Sequence, residues 1–130
     1  MPKINILKVK SNHEKLQKLC QTVQYHFEKK EQLLIAVPNE EVARYIDQLL
    51  WKLPQDSFLP HKIASKECDI NVIITTSMSN LNQAKVLINL LPGIHPLTSQ
   101  FQIIYELYDE TDPAKEMLSK ERLEVHRRCK

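Results

Sequence analysis

Residues 32–38, QLLIAVP, are an almost unbroken apolar run that ends at a proline. A run of this kind predicts a strand buried on both faces, the habit of a parallel sheet. Asn39 then offers an N-cap to EEVARYIDQLLW, residues 40–51. The first turn of that segment is acidic, as the helix dipole favours. Its Val42, Ile46, Leu49 and Leu50 repeat at helical spacing and predict an inner stripe. A doubly buried strand leading into an amphipathic helix implies a crossover to a parallel neighbour.

The rest of the chain repeats that grammar. INILKV (4–9) is short, apolar and β-branched, and predicts a strand. A helix follows from Ser11 or Asn12, with Glu14 placed for a capping box and a stripe of Leu16, Leu19, Cys20, Val23 and Phe27. INVIITT (70–76), KVLINLL (85–91) and FQIIYELYD (101–109) read as three further strands. Asp112 and Pro113 are an N-cap and a first-turn proline for a last helix that runs to about Arg128. Between these elements lies LLWKLPQDSFLPHKIA (49–64), whose Pro54 and Pro60 disfavour a regular helix or a central strand, so it reads as a connector. The expectation is one α/β domain over residues 1–130, a Rossmann-like, mostly parallel sheet flanked by helices. At 42% hydrophobic, the chain can bury a core of that size.

Gly93 is the only glycine. The dinucleotide fingerprint and the phosphate-binding loop each need several glycines at fixed spacing, so neither nucleotide motif is present. The histidines His13, His26, His61, His95 and His126 form no His-x3-His or His-Glu-x-x-His pair, and surface or cap positions are expected for them. Cys20, Cys68 and Cys129 are an odd, widely spaced set without Cys-x-x-Cys, and read as reduced thiols. The carboxylate pairs Glu40–Glu41 and Asp109–Glu110 fall at helix entries. No nucleophile is paired with a base, so the expectation is a non-enzymatic protein without metal or cofactor. No segment approaches the ~20 apolar residues of a membrane span. MPKINILKVK lacks the layout of a signal peptide, which points to the cytoplasm.

With 18 Lys+Arg against 16 Asp+Glu, bulk charge pulls the chain toward neither nucleic acid nor membrane. The distribution is uneven, however. Residues 115–130 carry six cations and three acids, whereas residues 1–114 carry twelve and thirteen. On a wheel of 100° per residue, Ala114, Met117, Leu118 and Val125 are expected to form the core stripe of the last helix. Leu123 falls opposite, toward water, with Lys120 and Arg127 on one side of it. Lys115 and Arg122 lie on the other side, with His126. A leucine ringed by cations suits an acidic peptide with an apolar end. Basic residues that merely complement the helix dipole are the plainer reading. Direct contact of the six cations with single-stranded nucleic acid is a third, although interleaved acids and the lack of a stacking platform weigh against it.

The block LLIAVPNEEVARYIDQLLW…SFLPHKIA resembles the central signature of the chi subunit of bacterial DNA polymerase III. The matching positions are Leu33–Val37, Leu50, Trp51, Ser57, Phe58, Pro60 and His61, and KERLEVHRR resembles the family's closing helix. The resemblance implies a Rossmann-like fold without nucleotide chemistry. It implies an accessory of the clamp-loader complex that captures the acidic C-terminal tail of single-stranded-DNA-binding protein, and so reaches DNA indirectly. Lys120 and Arg127 match basic family positions, Leu123 stands where the family has an aromatic, and Lys115 and Tyr108 match less closely. Arg122 joins these as a further cation of the tail site. The resemblance also implies a psi subunit, or another clamp-loader component, seated on Trp51, Phe58, Leu59 and Pro60. The same aromatic residues could instead close one edge of the core.

Overall fold

The computed structural model describes residues 3–52 and 61–128. Six strands build one sheet: β1 (Lys3–Val9), β2 (Leu33–Ala36), β3 (His61–Ile63), β4 (Val72–Thr75), β5 (Val86–Asn89) and β6 (Ile103–Asp109). The helices are α1 (Asn12–Glu28), α2 (Glu40–Trp51) and α3 (Pro113–Arg128). The strands run in the order β1-β6-β5-β2-β4-β3, and every neighbouring pair is parallel. The α/β expectation is met, with the sheet parallel throughout.

Local chemistry sets the helix starts. Ser11 Oγ accepts from Glu14 N at 3.1 Å. The Glu14 carboxylate reaches back to Lys10 N, one residue before the place a capping box would use. Asn39 Oδ1 accepts from Val42 N at 2.9 Å and starts α2. Asp112 Oδ1 does the same for Lys115 N and starts α3.

The apolar runs are continuous because each central strand feeds two cores. Leu33, Ile35, Val72, Ile74, Val86 and Ile88 point to the face covered by α1 and α2, where they meet Leu19, Val23, Ala43, Ile46 and Leu50. Leu34, Ala36, Ile73 and Leu87 point to the other face. Helices do not make the crossovers there. The links from β3 to β4, β4 to β5 and β5 to β6 are irregular segments and one 3₁₀ turn (Thr98–Gln100). They lay Leu81, Ala84, Leu91 and Phe101 on the second face. Asn82 fixes this cover, its buried amide donating to the carbonyls of Leu33, Ile70 and Asn71 at 3.1–3.2 Å.

Two expectations need correction. The stretch 49–64 is not connector throughout: beyond the end of α2, which reaches Trp51 as expected, it holds all of β3, which pairs with β4 at the sheet edge. A three-residue strand is too short to show a period. The histidines are not scattered over the surface either, since His26, His61 and His95 are buried. His26 Nδ1 lies 2.9 Å from Glu31 Oε1 and its Nε2 lies 2.7 Å from the Tyr105 hydroxyl. With Nδ1 donating to the carboxylate, Nε2 of a neutral ring accepts from the phenol. His95 Nδ1 accepts from Leu97 N, and burial holds its pKa below the ordinary value.

Candidate interaction surface on the C-terminal helix

The largest surprise is how α3 sits. Its expected core stripe is overturned: Met117 is 64% exposed, Leu118 42% and Val125 41%. The buried face is the polar one, led by Ser119 and Arg122. The cause lies in β6. Glu106 is 1% exposed in the middle of that strand and would be costly to bury alone. His126 Nε2 donates to Glu106 Oε2 at 2.7 Å, Arg122 Nε stands 3.4 Å from Oε1, and the Asn89 amide bonds both oxygens. Arg122 also donates to the carbonyls of Leu107 and Pro92. Ser119, fully buried, accepts from Asp109 N and donates to the Lys115 carbonyl, which brings the helix close against the strand end. Satisfying one carboxylate and one strand terminus therefore outweighs burial of three half-exposed apolar side chains.

This rotation divides the six residues expected to form the tail site. Lys120, Leu123 and Arg127 stay together on one flank, within about 60° of one another on the helix. Lys120 and Arg127 are exposed and Leu123 is half-buried, not turned to water as expected. Tyr108 joins them, since its hydroxyl donates to Glu116 Oε2 at 3.1 Å and Glu116 is one turn before Lys120. Burial and that carboxylate raise the phenol's pKa. Lys8 Nζ lies 5.8 Å from the Tyr108 ring and extends the cationic edge. Lys115 and Arg122 go to the opposite flank, where they line a cleft, and Arg122 is buried in its contact with Glu106 rather than displayed.

At the far end of the sheet, Trp51 closes α2 with 59% of its surface exposed, its ring centroid 4.5 Å from that of His61. Phe58, Leu59 and Pro60, the other residues expected at that partner surface, lie outside the described residues. Of the chemical candidates, Cys20 is half-buried and burial raises its thiol pKa. Asp109 is not a free helix-entry acid. Burial pushes its carboxyl up, but Lys15 Nζ at 2.6 Å from Oδ2 and the N–H and hydroxyl of Thr111 on Oδ1 outweigh that and hold it below its ordinary value. A depressed folded-state pKa stabilises above the unfolded value, about 3.9, and that stability is lost as pH falls through the folded pKa. The stability gap between the wild type and Asp109→Asn is therefore expected to shrink on acidification below about pH 4. Urea melts across a pH series check this, and a gap independent of pH would refute it.

Sequence reasoning missed Glu106, Asn89 and the inward turn of His126. Two signals were available. Glu106 is a charge in the middle of a run of β-branched, aromatic and aliphatic residues, and Arg122 and His126 share a face at i, i+4.

Six parallel strands flanked by three helices make this an α/β fold, and the outer flank of α3 displays Lys120 and Arg127. The family model described as DNA polymerase III chi subunit, HolC, matches residues 1–127, and the chain belongs to that family. It is thus a DNA polymerase III accessory subunit. No curated protein gave a match. Among the described residues, no helix is long and apolar enough to cross a membrane.

Proposed function

We propose that this chain is a non-enzymatic, cytoplasmic adaptor that links the clamp-loader complex of DNA polymerase III to single-stranded-DNA-binding protein by capturing its acidic C-terminal tail. The observation that carries the reading is the outer flank of α3, where exposed Lys120 and Arg127 stand two turns apart beside Leu123 and Tyr108. Tail carboxylates pair with the two cations, and the terminal aromatic packs on Leu123 and the Tyr108 ring. Glu116 already occupies the Tyr108 hydroxyl, so the tail uses the face of that ring. Exposed Trp51 supplies an aromatic anchor for psi or another clamp-loader component at the other end of the domain.

Exposed ion pairs contribute about 0–1 kcal/mol each, so a single tail binds modestly and loosens with salt. Many tails on a coated strand compensate by avidity. Reversing both charges, Lys120→Glu with Arg127→Glu, is expected to weaken a fluorescein-labelled tail peptide by about tenfold or more in anisotropy. Unchanged affinity would remove this flank from the mechanism. Bare oligothymidylate binding as tightly as the peptide would assign the helix to nucleic acid instead.

A further inference from the structure

A cleft of about 430 Å³ opens between the first turns of α1 and α2 and the inner flank of α3. It lies at the carboxyl ends of the strands, beside Pro38 after β2, Leu90 after β5 and Asp109 at the end of β6. In open parallel α/β sheets this is the edge where ligands settle, and the volume suits a small organic molecule. Its walls are mostly apolar, with Leu16, Val42, Tyr45, Leu91 and Leu118 among them.

The polar groups in it are unevenly spent. Asp109 is held by Lys15 and Thr111, and Glu106, which does not line the cleft, is held by His126, Asn89 and the charge of Arg122. Arg122, nine-tenths buried, is not fully spent. Its Nη2 serves Leu107 O and Ser119 Oγ and its Nη1 serves Pro92 O. Its Nε lies near Glu106 but makes no hydrogen bond, so that N–H and one Nη1 proton have no acceptor among the described residues. Lys115 also lines the cleft and forms no ion pair among the described residues. An exposed lysine without an ion pair among the described residues, together with guanidinium donors that lack hydrogen-bond acceptors, beside apolar walls selects an anion with an apolar body.

We propose that this cleft binds a small apolar monocarboxylic acid, its carboxylate between Lys115 and Arg122 and its aryl or branched-alkyl body among Leu16, Val42, Tyr45, Leu91 and Leu118. The site is on the opposite flank of α3 from Lys120 and Arg127, so its occupant and the tail bind independently.

The test is a ¹H–¹⁵N NMR titration of the full chain with 4-phenylbutyrate and with the uncharged 4-phenylbutanamide. The acid is expected to give saturable shifts around Leu91 and Leu118, and the amide to bind about tenfold more weakly or less. Lys115→Gln lowers affinity for the acid by a similar factor. Leu118→Trp, at a half-exposed position that tolerates bulk, fills the cleft, abolishes acid binding and leaves tail-peptide affinity unchanged. No saturable shift at millimolar acid would overturn the proposal, as would equal affinity for acid and amide. Displacement of the acid by the tail peptide would also overturn it, by assigning the cleft to the tail.

Discussion

Replacing Glu106 with alanine is expected to lower the unfolding free energy by about 3–5 kcal/mol, the penalty for removing one partner of a buried ionic cluster. Among the described residues the carboxylate is the only acid paired with Arg122 and His126, and it is 1% exposed. Its loss leaves a buried guanidinium facing an imidazole and leaves the Asn89 amide only the Gly93 carbonyl as acceptor among the described residues. The penalty falls on the contact between α3 and β6, so the helix should loosen before the sheet does. Urea unfolding gives the size, and amide hydrogen exchange in α3 gives the place. A companion variant separates charge compensation from mere volume. Exchanging the whole cluster for apolar residues, Glu106→Leu with Arg122→Met and His126→Leu, should recover most of the loss, because apolar replacements of entire buried clusters are often neutral or stabilising. If Glu106→Ala costs under about 1 kcal/mol, the cluster is solvated and does not hold the helix.

The expected behaviour of Glu106 also shows why half of α3 could not be read from its sequence. A helical wheel ranks residues by hydropathy and assumes the core is apolar. Here the surface that receives the helix carries a carboxylate, and the helix turns its Arg122 and His126 to meet it. The wheel did group Lys120, Leu123 and Arg127 correctly, because that grouping follows from helix geometry alone. It had no means of telling which flank faces protein. The strands were legible for the opposite reason. Leu33 to Ala36, Val72 to Thr75 and Val86 to Asn89 are buried on both faces, so each run is continuous and admits one reading. The cover of the second face was illegible because its signals are single residues. Gln83 in that cover takes a left-handed backbone conformation, φ 52°, as Lys30 does after α1 at φ 60°, where a turn would usually announce itself by glycine. Asn82, next to one of them, looks like any turn asparagine until its three carbonyl partners are seen.

Asn82 carries the second large effect. Asn82→Ala is expected to cost about 2–3 kcal/mol, since it strips buried carbonyls of a donor at a site 3% exposed. Leu33 begins β2, Ile70 and Asn71 precede β4, and Asn82 itself lies in the segment between β4 and β5. Its one amide therefore ties the central strand to two covering segments. The neighbouring Cys68 N–H, bonded to Leu81 O at 3.1 Å, joins the same segments by backbone alone. Three converging carbonyls also fix the amide's orientation, because the flipped form would set its oxygen against all of them. Asn82→Asp keeps the shape and exchanges both donors for lone pairs, so at neutral pH it should destabilise more than Asn82→Ala. Lowering the pH should narrow that difference, since a protonated carboxyl regains one donor. Chemical denaturation of the three proteins at two pH values measures both comparisons. If the aspartate variant matches or exceeds the alanine variant in stability at neutral pH, the amide is not the donor that joins these segments.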